Sequence, residues 1–326
     1  MKKILVIRFS ALGDLVTLEP TFRAFRYFFK NDHITLLTTG VGKGLFQDTD
    51  YFNEYIMHQN VFKSWHTLKD EKFDLIINLQ CNKPSHYISM FLDKKAVVNK
   101  SYNLFQKILK IKTHSKSVQE MIEAISWVNQ NMINDYFQST SAQIMLPVLN
   151  QDDFFIKEPH NKYIAISTGT SERWLSKKWG AENYLNLIKK LIIDKYKVIL
   201  IGSNLEIEDA QYILNHFKEN EIVSFVDKTN LTQLKNILAK VDLFVGNDTG
   251  PAHIASGVGT NTITIFGSTD IQHSPKFMPY SGTHEYLKPS DSISCHPCYK
   301  AKCPTNMECM KSIKVEDVMK KIQGLL

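Results

Sequence analysis

The stretch Val245-Gly246-Asn247-Asp248-Thr249-Gly250-Pro251-Ala252-His253 has the composition of an anion cradle. An apolar run ends in it, Gly250 lets a ligand approach the backbone closely, and Pro251 suits the first turn of a helix. A helix starting there aims unpaired amides and the positive end of its dipole at an anion such as a phosphate. Asn247 and Asp248 add side chains for a sugar or a metal, and His253, one turn into the helix, can reach the same place. The same residues also describe a plain strand-turn-helix in which Asp and Thr only cap the helix, and that needs no ligand.

Three further positions carry similar chemistry. Ser10-Ala11-Leu12-Gly13-Asp14 follows the first apolar run, and Asp14 there is either a helix N-cap or a general base that takes a proton from an attacking hydroxyl. Ser167-Thr168-Gly169-Thr170, followed by Lys177-Lys178-Trp179, offers hydroxyls and a cation to phosphate oxygens, or else a surface loop with solvated lysines. Glu206 follows Gly202 closely, as an acid for ribose hydroxyls or for a helix dipole.

Other motifs exclude chemistry or leave it open. No G-x-G-x-x-G follows the first apolar run, and no Walker A, H-E-x-x-H or G-x-S-x-G sequence occurs, which argues against a dehydrogenase, kinase or hydrolase. Asp48-Thr49-Asp50 has a metal-diphosphate pattern but follows a helical stretch, so no metal is assigned to it. Cys295, Cys298, Cys303 and Cys309 are close enough in sequence for a tetrahedral zinc site, or for reduced structural thiols. The apolar run at Ile4 to Ile7 is too short for a signal peptide, so a cytoplasmic location is expected, with thiols kept reduced.

These residues must be positioned by alternating elements. The chain has 326 residues, 43% hydrophobic and 22% charged, enough for two cores in a soluble α/β protein. Strands are expected at Lys3 to Arg8, His33 to Thr38, Glu54 to His58 and Phe73 to Leu79, with helices at Asp14 to Lys30 and Ser117 to Asn131. The pattern restarts at Tyr163 to Ser167, Lys197 to Ile201, Ile222 to Val226, Asp242 to Val245 and Thr262 to Phe266. A polar, proline-bearing stretch from Pro147 to Asn161 sets the division into domains 1–150 and 151–326. The last helix, Val315 to Leu326, could pack on either.

The net charge is +6, yet Lys94, Lys95, Lys100, Lys107, Lys110, Lys112 and Lys116 crowd a segment without Asp or Glu. Such a run is either a solvated face or a site for an anionic partner. No DNA- or RNA-binding module accompanies it, so a phosphorylated acceptor or an anionic membrane surface is the expected partner, not nucleic acid.

The order and spacing of Ser10-Ala11-Leu12-Gly13-Asp14, Lys177-Lys178-Trp179, Asp248 to His253 and Phe266-Gly267-Ser268-Thr269-Asp270 resemble the lipopolysaccharide heptosyltransferases and their relatives in glycosyltransferase family 9. The resemblance implies a GT-B fold of two facing Rossmann-like domains, acceptor on the first and nucleotide sugar on the second. It implies a catalytic base at Asp14 and a phosphate-binding cation at Lys177. The donor would be held by Thr168, Thr170, Lys177, Glu206, Asp248, Thr249, Gly250 and His253. Ser10, Gly13, Lys94, Lys95 and Lys100 are the acceptor candidates, for a lipid-linked anionic saccharide at the inner face of a membrane. The reaction implied is inverting transfer of a sugar, with ADP-heptose the expected donor, needing no metal for chemistry and leaving zinc a structural role at the cysteines. A noncatalytic sugar-nucleotide-binding protein and another GT-B enzyme, such as a nucleotide-sugar epimerase, are the alternatives.

Overall fold

The computed structural model describes residues 1–80, 82–99, 136, 144–149, 154–271 and 283–326. The chain divides into two compact units, Met1–Gln143 and Ile144–Leu326, so the division falls slightly before the expected one.

In the first unit, β1 (Lys3–Ile7), β2 (His33–Thr38), β3 (Glu54–Met57), β4 (Lys72–Asn78) and β5 (Asp93–Asn99) form one parallel sheet in the order β3-β2-β1-β4-β5. Its central strands are apolar on both faces, as crossover helices require. β5 is an addition to the expected set. Its Lys-rich start hides the strand, because Lys94 and Lys95 stand where the pattern would show apolar residues.

The single helix expected from Asp14 to Lys30 is two, α1 (Leu12–Val16) and α2 (Glu19–Phe28). Pro20 explains the break: it lacks the amide hydrogen that a continuous helix would use there, so the chain restarts around it. Helices α3 (Gly40–Phe46), α4 (Val61–Leu68) and α5 (Lys83–Phe91) complete the crossovers. The helix expected at Ser117 to Asn131 lies outside the described residues.

The second unit repeats the design with six parallel strands: β6 (Tyr163–Ser167), β7 (Lys197–Leu200), β8 (Ile222–Ser224), β9 (Leu243–Asn247), β10 (Asn261–Ile265) and β11 (His284–Leu287). Their order is β11-β10-β9-β6-β7-β8, and β11 extends the expected set. Crossover helices are α6 (Ala181–Ile193), α7 (Ile207–Leu214), α8 (Leu231–Lys240) and α9 (Gly250–Gly257), followed by α10 (Glu308–Ser312) and α11 (Val315–Leu325). The last helix belongs to this unit: Val315, Val318, Met319 and Ile322 join the core around Leu187, Ile188 and Ile263.

Both sheets reverse their winding once, between β1 and β4 and between β6 and β9. In parallel sheets a ligand crevice opens at the carboxyl ends of the strands flanking such a switch. Ser10 to Asp14 follow β1, Thr168 to Thr170 follow β6, and Asp248 to His253 follow β9. No helix among the described residues is long and apolar enough to cross a membrane.

Candidate functional site

In the second unit β6 and β9 lie side by side, with Ser167 paired to Gly246, so the two turns that leave them meet. Asn247 ties them together. Its fully buried amide donates to the carbonyls of Thr168 and Gly169 at 2.9 Å each and accepts from the Trp179 amide at 3.3 Å and the Tyr184 hydroxyl at 3.1 Å. Asn247 is thus occupied by the scaffold and not offered to a ligand. Burial pushes the Tyr184 hydroxyl well above its usual pKa, so it stays a neutral donor to Asn247.

Beyond this brace, the Lys177 ammonium lies 2.5 Å from the Asp248 carboxylate, and both side chains are buried. The Thr269 hydroxyl donates to the same carboxylate oxygen at 2.9 Å, and the Trp174 ring covers the ammonium with its centroid 5.1 Å away. The neighbouring Lys178 turns elsewhere, to Asp209 at 2.9 Å. Of the two adjacent lysines, Lys177 is the one at the switch point.

Helix α9 starts with Thr249 as its N-cap residue, but no side chain caps the first turn; the Thr249 hydroxyl donates back to the Asn247 carbonyl at 3.3 Å. The helix end is therefore not closed by its own Asp and Thr side chains. Pro251 sits in the first turn and His253 is buried just inside it. Thr168 and Thr170 are buried nearby, and their hydroxyls make no hydrogen bond with another described residue.

Glu206 enters the same crevice after β7. One carboxylate oxygen accepts from the Ser203 amide at 2.5 Å and the Ser203 hydroxyl at 2.9 Å, which closes a capping box. The other oxygen lies against Gly169, where an added Cβ would come within 1.6 Å of it. Glu206 is both cap and crevice group, so the two readings of it are not exclusive. The structure brings Thr168, Thr170, Lys177, Glu206, Asp248, Thr249, Gly250 and His253 to one end of one sheet.

In the first unit, Asp14 is not an N-cap. Ala11 occupies that position, and Asp14 lies within the first turn of α1, mostly exposed, with its carboxylate 2.8 Å from the Arg8 guanidinium. Arg8 is buried at the end of β1 and also donates to the Leu79 carbonyl at 2.8 Å. The Gln80 side chain accepts from the amides of Phe9 at 2.9 Å and Ser10 at 3.3 Å, fixing the turn that carries Ser10 and Gly13. His58 stacks on Phe9 with ring centroids 3.7 Å apart, and burial lowers its pKa.

The lysines proposed for the acceptor are not gathered at this turn. Lys94 and Lys95 lie at the start of β5, with Phe73 paired to Lys94, whereas Ser10 to Asp14 follow the opposite, carboxyl end of the parallel sheet. A strand of this length spans roughly 20 Å. Lys95 pairs with Asp74 at 2.6 Å, and Lys94 donates to the carbonyls of Met90 and Leu92 at 3.0 Å. Lys100 lies outside the described residues, as do Lys107, Lys110, Lys112 and Lys116.

The four cysteines are free thiols lining one cavity of about 40 Å³ with Ser176, Ser268 and His296, and Cys309 is buried. Among the described residues no three His, Cys, Asp or Glu side chains are arranged as a metal-binding group. The loop is tied to the segments that follow β6 and β10: Ser176 bonds Ser268 at 2.8 Å and the Lys300 carbonyl at 2.5 Å, and the Tyr299 amide donates to the Ser268 carbonyl at 2.9 Å.

Arg8, Trp174 and Thr269 escape sequence reasoning as partners of Asp14, Lys177 and Asp248. Each had one signal. Arg8 ends an apolar strand with a charge, and Thr269 follows β10, the strand beside β9. Trp174 shows only as an aromatic residue close before Lys177.

The chain as a whole is similar to known proteins. The family model for glycosyltransferase family 9 (heptosyltransferase) matches residues 61–308. The chain is 25% identical to lipooligosaccharide heptosyltransferase 2 of Campylobacter jejuni, over 96% of this chain and 96% of that protein. It superposes on a family 9 glycosyl transferase from Veillonella parvula with TM-score 0.76 and 18% identity, covering 99% of this chain and 97% of that one. The ADP-heptose LPS heptosyltransferase II of E. coli gives TM-score 0.74 and 18% identity, covering 99% and 98%.

Proposed function

The chain belongs to glycosyltransferase family 9 and is a glycosyltransferase, and from that membership we propose that it transfers heptose from ADP-heptose to a lipopolysaccharide core or a related cell-surface glycan. The observation that carries this reading is the convergence of Lys177, Asp248 and Glu206 on the uncapped start of α9 at a switch point. A nucleoside diphosphate needs a cation and helix amides for its phosphates and an acceptor for its ribose hydroxyls. This crevice holds all three. The relatives named for heptose transfer favour that sugar over a binding-only role.

In the proposed mechanism Asp14, oriented by Arg8, takes the proton of the acceptor hydroxyl as its oxygen attacks the anomeric carbon with inversion. Positioned bases of this kind contribute about 10²- to 10⁴-fold in rate. Lys177 and the α9 amides stabilise the charge that gathers on the departing diphosphate. Thr168 and Thr170 add hydroxyl donors, and Asp248 faces the sugar with His253 behind it. No divalent ion takes part in this chemistry, so activity should persist in EDTA.

The acceptor is a lipid-linked anionic saccharide, which places the enzyme's work at a membrane surface. Zinc at Cys295, Cys298, Cys303 and Cys309 would be structural, and it requires thiols that now line a cavity to converge on one ion.

The test is direct. Purified protein, ADP-heptose and a core acceptor lacking heptose should yield ADP and an acceptor heavier by one heptose. Thermal stabilisation by UDP- or GDP-sugars but not ADP-sugars, with no transfer, would overturn the donor assignment.

A further inference from the structure

Helices α4 and α5 pack beside each other on the first sheet, and each buries an apolar face there: Leu68 from α4, Ile88 and the adjoining Leu92 from α5, with Val61 and Trp65 partly buried against them. The core is satisfied by that face alone. Yet the same two helices carry a second apolar set on the outside, with Phe62 68% exposed, Phe91 63%, Met90 58% and Tyr87 49%. Tyr87, Met90 and Phe91 share one side of α5 by helical spacing. Trp65 links them to α4, with its indole donating to the Phe91 carbonyl at 3.3 Å and its ring 6.1 Å from that of Phe62. An exposed cluster of this size marks an interaction surface.

The two helices themselves carry only positive charge, with Asp70, Glu71 and Asp93 just beyond their ends. Residues 58–69 and 75–92 contain no Asp or Glu. Lys63, Lys69 and Lys83 are exposed and have no carboxylate partner among the described residues, and Lys69 lies 5.9 Å from the Trp65 ring centroid. Aromatic and methionine side chains set among unpaired lysines suit the boundary between lipid headgroups and acyl chains. A second copy of the chain fits poorly, because a two-fold contact brings this patch onto itself and lysine onto lysine.

We propose that the outer face of α4 and α5 is a docking surface for an anionic lipid bilayer, inserting Phe62, Tyr87, Met90 and Phe91 at headgroup depth while Lys63, Lys69 and Lys83 meet lipid phosphates. This goes beyond the transferase reading and does not depend on it, since the binding needs neither donor nor acceptor.

The test is cosedimentation of the full chain with vesicles of phosphatidylcholine, with and without phosphatidylglycerol. Wild type should bind the mixed vesicles, less so as salt is raised, and hardly bind phosphatidylcholine alone. The double variant Phe62→Ser, Phe91→Ser should partition about tenfold more weakly, because insertion scales with buried apolar area. Its circular dichroism and its nucleotide affinity, a property of the other unit, should match wild type. Undiminished binding by the variant, binding indifferent to lipid charge, or a wild-type dimer that the variant converts to monomer without any vesicle binding would each overturn the proposal.

Discussion

Lys177 and Asp248 form a buried ion pair 2.5 Å long beyond the carboxyl ends of the neighbouring strands β6 and β9, so the cation proposed for the donor diphosphate is already neutralised before any donor arrives. The pair gives each of two buried charges its counter-ion. It also keeps Asp248 from repelling phosphate. On the proposed reading a donor diphosphate would share Lys177 with Asp248, which would couple the phosphate site to whatever the carboxylate holds.

That coupling is testable by a double-mutant cycle. Lys177→Met leaves a buried carboxylate with only the Thr269 hydroxyl, and losses of about 3–5 kcal/mol are typical for such broken pairs. Adding Asp248→Asn should recover most of the stability but none of the nucleotide affinity. Urea unfolding and calorimetry with ADP measure the two effects separately. A double variant whose loss equals the sum of the losses in Lys177→Met and Asp248→Asn would show that the pair is not energetically coupled.

Gly169 is required by distance, not by backbone dihedral. A methyl there would stand 1.6 Å from a Glu206 oxygen, so Gly169→Ala must push Glu206 out of the crevice. ADP affinity should fall about tenfold, the scale of one lost charge-assisted hydrogen bond. In Gly169→Ala, Glu206→Ala the clash is gone and stability should return, while affinity stays low. Normal ADP binding by Gly169→Ala would remove Glu206 from ribose recognition.

Asp14→Asn should lower kcat by about 10²- to 10⁴-fold while leaving ADP affinity unchanged, since the nucleotide crevice belongs to the other unit. Arg8→Lys keeps a charge but not the fork that holds both Asp14 and the Leu79 carbonyl. Its kcat should fall by a smaller factor with little change in KM. Full turnover by Asp14→Asn would sink the base assignment.

How much of this could be read from residues alone follows physical lines. The strands after which ligands bind were legible because they are buried on both faces and β-branched, and glycine-bearing turns punctuate them. Asp248 to His253, Thr168 and Lys177 are local in sequence to those strand ends, so the crevice could be assembled on paper. What could not be read is what depends on distant partners. Asn247 looked like a ligand group until its four bonds to the scaffold were placed, and Asp14 looked like a cap until Ala11 took that position. Lys94 and Lys95 were misleading as a charge run because a parallel strand puts them at the wrong end of the sheet.

His58 gives the first unit an acid-sensitive contact. It stacks on Phe9, and its partial burial lowers its pKa below the ordinary 6.5. The folded chain then binds fewer protons at this site than the unfolded chain, so the contribution is complete above pH 6.5 and is lost as pH falls through the folded value. His58→Phe keeps a ring against Phe9 but cannot titrate. The stability difference between wild type and His58→Phe should therefore shift against wild type on acidification, by unfolding at a series of pH values. A difference that stays constant across pH would show that His58 is not responsible.

The four thiols should differ in reactivity before they differ in anything else. The Thr305 hydroxyl beside Cys303 lowers that thiol's pKa, while burial raises that of Cys309. Only the thiolate attacks an alkylating agent, so iodoacetamide should modify Cys303 well before Cys309, as read by mass spectrometry of tryptic peptides. Zinc held by all four would change that order entirely, because a coordinated thiolate at either position is withheld. Zinc content near one per chain, with all four cysteines protected together until a chelator is added, is the outcome the structural-zinc proposal requires. Zinc-free protein in which Cys303 reacts at the same rate with or without added zinc would remove that proposal and leave the loop held by hydrogen bonds such as those of Ser176, Ser268 and Tyr299.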